Sequence, residues 1–122
     1  MESRELAIRL ARALDAKKAF NIHILEVEDL TTVTEYFVIA TGTSSTHVKA
    51  LADEVEFQLK ERHSIATEHT EGYRSNSWIL LDYGNVIVHV FTEESRAFYD
   101  LDRLWQDGET VDITEILKAN EE

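Results

Sequence analysis

Residues Tyr36–Arg62 read YFVIATGTSSTHVKALADEVEFQLKER. Tyr36–Thr41 is a short, continuous apolar run rich in β-branched and aromatic residues, the pattern of a strand covered on both faces. Gly42-Thr43-Ser44-Ser45 breaks it with small residues that suit a turn and a helix N-cap. From Thr46 the period changes from two to 3.6. Val48, Leu51, Ala52, Val55 and Leu59 fall on one stripe, while Lys49, Asp53, Glu54, Glu56 and Lys60 face water. The spacing therefore predicts a helix over Thr46–Arg62, entered directly from a buried strand.

Downstream, Ser77–Phe91 reads SWILLDYGNVIVHVF, two apolar runs joined across Tyr83-Gly84-Asn85. This is a hairpin pattern. With a loop of two or four residues, one face carries Ile79, Leu81, Tyr83, Val86, Val88 and Val90. The other carries Trp78, Leu80, Asp82, Ile87, His89 and Phe91. Upstream, Asn21–Val27 alternates and predicts a strand, with Ile22, Ile24 and Glu26 on one side and His23, Leu25 and Val27 on the other. Glu5–Lys18 has Leu6, Leu10, Ala13 and Leu14 at helical spacing, with Ser3 as N-cap and Lys17-Lys18 at the C-terminal end of the dipole. Glu28–Thr34 is a polar connection, and a strand near Ile65–His69 is expected in the poorly periodic stretch His63–Asn76. Thr92 or Ser95 caps a short helix through Tyr99, a further turn runs through Asp100–Trp105, and Val111–Ala119 forms a weak helix. A helix between strands, followed by an antiparallel hairpin, predicts a single α/β domain with a mixed sheet flanked by helices.

Composition narrows the function. The chain has 122 residues, 43% of them apolar, enough for one domain with a core of its own. It lacks cysteine, so disulfides and thiolate metal sites are excluded and a reducing compartment is expected. No apolar run reaches membrane-spanning length, so a soluble, cytoplasmic protein is expected. The net charge is −12, and residues 92–122 carry ten acidic against three basic side chains. Such a surface repels nucleic-acid backbone and speeds encounter with basic partners, or serves solubility alone. The segment 109–122 reads as an acidic tail.

Candidate chemistry is sparse. The Gly42–Ser45 turn precedes a helix, where an anion can bind, but it lacks the lysine and the glycine spacing of a phosphate loop. Glu26 and Glu28 alternate but precede that turn; Asp82 stands alone at the hairpin tip. No carboxylate pair is placed to hold magnesium opposite the turn. His23, His47, His63, His69 and His89 share no metal-ligand spacing. No nucleophile elbow occurs. An active nucleotidyl- or phosphotransferase using Gly42–Ser45 and Asp82 is the rival reading. No catalytic residue, metal or cofactor is expected otherwise. The hairpin face with Trp78, Asp82, His89 and Phe91 has the mixed composition of an interface core, although a covering helix would account for Trp78 and Phe91 equally well.

In three ordered blocks the chain resembles the ribosomal silencing factor family, also called the Iojap family. The blocks are Tyr36–Gly42 with Ser45–Glu54 (STHVKALADE), Trp78–Phe91, and Phe98-Tyr99-Asp100-Leu101 with Leu104-Trp105. Asn85 departs from the Asp that the family usually shows after the hairpin glycine. The resemblance implies a nucleotidyltransferase-like fold that has lost its catalytic acids. It implies binding to the fourteenth protein of the large ribosomal subunit, blocking the small subunit and repressing translation under nutrient limitation. Self-association of the free protein through the same apolar surface is implied as well. On this reading the docking residues are Trp78, Leu80, Asp82, Tyr83 and His89, joined by Phe98 and Tyr99; DNA and membranes are not partners.

Overall fold

A computed structural model describes residues 1–118. The elements in chain order are α1 (Ser3–Ala16), β1 (Phe20–Glu26), β2 (Tyr36–Gly42), α2 (Ser45–His63), β3 (His69–Glu71), β4 (Trp78–Asp82) and β5 (Val86–Thr92). α3 (Glu93–Tyr99), α4 (Leu101–Leu104), β6 (Glu109–Val111) and α5 (Thr114–Lys118) complete them. The six strands form one sheet in the order β3-β4-β5-β2-β1-β6. β2 and β5 run parallel, joined by the crossover through α2, and the remaining neighbours are antiparallel. The expected mixed α/β architecture is what the chain forms.

Helices α1 and α2 cover one face of the sheet. Leu6, Leu10 and Leu14 of α1 and the stripe Val48, Leu51, Ala52, Val55 and Leu59 of α2 are buried there. They pack on Ile24, Val38, Ile79, Leu81, Val86, Val88 and Val90. β2 is buried along its whole length because it lies in the sheet interior and is covered from both sides. The second face is smaller and holds Leu25, Val27, Phe37, Ile39, Ile87 and Phe91.

The hairpin register pairs Trp78 with Phe91 and Asp82 with Ile87, and the Tyr83 amide bonds the Val86 carbonyl. The loop proper is thus Gly84-Asn85, and both expected faces hold. Gly84 has φ +87°, a conformation that favours glycine, and its amide donates to Asp82 Oδ1 at 2.7 Å.

Several boundaries differ from expectation. α1 begins at Ser3, and its N-cap is Glu2 without a side-chain bond. Ser3 is engaged elsewhere: its hydroxyl donates to Glu35 and accepts from Asn85 Nδ2, tying α1 to the β1–β2 connection and the hairpin turn. Lys17 is the C-cap and Lys18 has φ 70°, so neither lies in the last helical turn. α2 is capped by Ser44, whose Oγ accepts from the His47 amide. The third strand is His69–Glu71, later than Ile65–His69, because Ile65 closes the end of α2 through its amide bond to the Leu59 carbonyl. The segment from residue 109, read as a tail, begins as edge strand β6 paired with β1, with Val111 opposite Ile24 in the core. Of the helix expected over Val111–Ala119, Thr114–Lys118 is helical and Ala119 lies outside the described residues.

Candidate docking surface

The second face of the sheet is covered by one short segment, α3 and α4. Thr92 ends β5 and starts α3, its hydroxyl accepting from the Ser95 amide at 3.3 Å. Asp100, at φ 47°, turns the chain left-handed between α3 and α4. Leu101 and Trp105 then pack inward on the second core. One side chain fixes this cover. Arg96, nearly buried, donates to both oxygens of Asp102 at 3.1 and 3.2 Å, to Thr41 Oγ1 at 2.8 Å, and to the Asn21 carbonyl. His23 Nδ1 lies 2.6 Å from the same carboxylate. Burial alone would raise the Asp102 pKa, but the hydrogen bonds from Arg96 and His23 outweigh it and hold the carboxyl below its ordinary value. A forked guanidinium bridging a carboxylate, the Thr41 hydroxyl and one strand carbonyl clamps the cover in one position.

Beneath the cover is an aromatic cluster. The Trp78 ring lies 5.0 Å from Phe91 in a stacked arrangement and 4.6 Å from Tyr99. Phe37 meets Trp105 and His89 edge-on, each at 5.1 Å. His89 is 5% exposed, and Trp78 Nε1 donates to its Nδ1 at 3.0 Å. That bond requires a neutral ring with its proton on Nε2, and Nε2 is buried with no partner among the described residues. Desolvation accordingly lowers the His89 pKa from 6.5 to about 4.

The outer surface of this layer is apolar. Phe98 is 80% exposed, Leu104 70% and Tyr99 48%, and Phe98 packs edge-on against Tyr99 at 5.0 Å. With Arg103 and Gln106 they line an open depression of about 600 Å³. Three large exposed apolar side chains are thus grouped on one segment, and Asp100 borders the same depression.

The expected docking residues divide. Trp78 and Leu80, half-buried on β4, and Phe98 and Tyr99, on α3, come together on this side. His89 lies beneath Trp78, buried in the second core. Tyr83 packs in the helix-side core, where burial first, and then nearby Glu56, pushes its phenol pKa up. Alternation along the strand puts it on the face opposite Trp78. Asp82 sits at the hairpin end, its carboxylate closing the turn. Leu104, quoted above only for the resemblance, and Arg96 take their places in this layer from the fold. An isolated leucine in a four-residue helix and an arginine among acids carry no periodic signal.

The rival catalytic pairing fails on topology. Asp82 pairs with Ile87, which pairs with Phe37 at the start of β2. Gly42 ends that strand five residues later, about 17 Å away at ~3.3 Å per residue. Glu26 pairs with Tyr36, at the same end as Asp82. At the turn itself the Thr43 amide donates to His47 Nδ1 and the His47 amide to Ser44 Oγ. Among the described residues no group of three or more His, Asp or Glu side chains is placed to hold a metal ion, and no helix is long and apolar enough to cross a membrane.

The family model described as ribosomal silencing factor during starvation matches residues 1–122. A ribosomal silencing factor RsfS of Bacillus subtilis is 38% identical over 103 residues, 84% of this chain and 86% of that protein. A ribosomal silencing factor RsfS of Halalkalibacterium halodurans is 33% identical, with 96% and 99% of the two chains covered. A crystal structure of a Chromobacterium violaceum protein, 37% identical, superposes with a TM-score of 0.83 over 87% of this chain and 88% of that one.

Proposed function

The chain belongs to the ribosomal silencing factor family, and on that premise we propose that it acts by docking on the large ribosomal subunit. Its partner there is the fourteenth protein of that subunit, on the face that receives the small subunit. Occupying that face keeps the subunits apart and represses translation when nutrients are short. The protein is a binding module and not an enzyme, needs no cofactor and works in the cytoplasm. The free protein pairs with a second copy through the same apolar surface.

One observation carries the reading. Phe98, Tyr99 and Leu104 stand exposed over the Trp78 cluster, on a segment clamped to the sheet by Arg96. Aromatic anchors on a pre-positioned segment lose little conformational freedom on binding. The net charge of −12 supplies long-range attraction to a basic ribosomal protein. The separation of Asp82 from the Gly42–Ser45 turn weighs against the transferase alternative.

Co-sedimentation with isolated large subunits, followed by a subunit-joining assay, tests this. Stoichiometric binding to large subunits and inhibition of joining are the expected results. Background sedimentation, or magnesium-dependent turnover of a nucleoside triphosphate that disappears in Ser44→Ala, would overturn it.

A further inference from the structure

Residues 93–105 carry two cations, Arg96 and Arg103, and the fold uses only the first. Arg96 is turned inward onto Asp102, Thr41 and Asn21. Arg103 is exposed and borders the depression beside Phe98, Tyr99 and Leu104. Among the described residues no carboxylate lies within ion-pair distance of it. Asp102, its neighbour in sequence, is engaged by Arg96 and His23. Asp100 borders the same depression and does not pair with it; nor does the Asp100 side chain cap α4.

Docking changes the position of that side chain. A partner that covers Phe98, Tyr99 and Leu104 covers Arg103 with them. A cation sealed from water without an acceptor weakens a complex, whereas one met by a carboxylate adds selectivity. Arg103 also opposes the general charge of the chain. The net charge of −12 favours a basic partner, but a uniformly basic surface would bring like charge against Arg103. The partner therefore has to place an acidic group at this point of a surface that is basic elsewhere.

Resting on the docking reading above, we propose that Arg103 is the specificity-determining residue of this surface and receives an Asp or Glu side chain of the partner protein. The planar guanidinium takes both oxygens of a carboxylate, a geometry that lysine does not reproduce. An RNA phosphate is the poorer match. Phosphate backbone is met by clustered cations, and here a single arginine shares its depression with Asp100.

The test measures affinity in 0.15 M KCl for two probes, the purified fourteenth protein of the large subunit and the isolated large subunit. Wild type is compared with Arg103→Gln, Arg103→Glu, Arg103→Lys, Lys49→Gln and Phe98→Ala. Lys49 pairs with Asp53 on α2, in the other layer, so its loss removes one positive charge away from the surface. The sign of the effect decides. Attraction by net charge alone makes each lost cation tighten binding to a basic protein. A local carboxylate does the opposite: Arg103→Gln should bind both probes about tenfold more weakly and Arg103→Glu about a hundredfold, with Arg103→Lys between wild type and Arg103→Gln. Lys49→Gln should stay within about twofold. The Arg103 side chain is bonded to nothing in the fold, so thermal melts of its variants should match wild type. Unchanged or tighter binding by Arg103→Gln and Arg103→Glu, while Phe98→Ala loses binding, would overturn this proposal and leave the docking reading standing. Weakening on the large subunit but not on the purified protein would overturn it in favour of an RNA phosphate. Absence of wild-type binding to both probes would overturn the docking reading and this proposal with it.

Discussion

Acidification from pH 7 to pH 4 should remove about 3 kcal/mol of folding stability through His89 alone. In the unfolded chain this imidazole titrates near 6.5, and in the fold near 4. Between those values the unfolded state holds a proton that the native state refuses, so stability falls as pH falls. The contribution is fully present above about pH 6.5, declines through the window and levels off below about pH 4. Each tenfold loss of proton affinity between 6.5 and about 4 is worth about 1.4 kcal/mol. Near the midpoint of the native titration roughly 3 kcal/mol has been lost, equivalent to about 10 °C in Tm for a domain of this size. Geometry acts in the same direction, since a proton on Nδ1 would abolish the acceptor for Trp78 Nε1. Urea denaturation should be followed by fluorescence from pH 7.5 to 4 at constant ionic strength, for wild type and for His89→Gln. The amide oxygen of Gln can accept the indole N–H and does not titrate. Carboxylates such as Asp102 contribute to both proteins and cancel in the difference. The wild-type curve should fall more steeply by about 3 kcal/mol over the window; parallel curves would refute the assignment of the acid loss to His89.

Phe98→Ala should leave stability within about 0.5 kcal/mol, because the ring is almost fully exposed, and should weaken large-subunit binding by about 2 kcal/mol; unchanged co-sedimentation would remove Phe98 from the interface. Trp78→Ala should lower both the melting temperature and binding, since its ring stacks on Phe91 and touches Tyr99; a melt like wild type would show that the ring packs loosely. Arg96→Ala, and Arg96→Lys nearly as strongly, should destabilise the protein by about 2 kcal/mol and loosen α3–α4, read as faster amide exchange in residues 93–105; full rescue by lysine would show that charge alone suffices. Deleting residues 109–122 should cost about 3 kcal/mol, because it removes β6 and the buried Val111, and would therefore not isolate a charge effect on association.

The mixed sheet, the two helices of the first layer and both faces of the hairpin were legible in the sequence, because local periodicity dictates which side chains share a face. The stripe Val48, Leu51, Ala52, Val55 and Leu59 and the aliphatic face Ile79 to Val90 follow from spacings of 3.6 and 2.0 without knowledge of any neighbour. Short elements were another matter. β6 has three residues and no alternation to read; it exists because Val111 finds Ile24 on an unpaired edge. Ser3 looked like a cap until the fold brought Glu35 and Asn85 to its hydroxyl. Tyr83 and Trp78 stand five residues apart on one hairpin, and only the packed layers decided that the first would be core and the second would support a surface. The clamp of Arg96 on Asp102, Thr41 and Asn21 joins the α3–α4 segment to two strands distant in sequence. Sequence spacing fixes what an element can bury; which polar groups meet across elements depends on long-range packing, and that is decided only when the chain closes on itself.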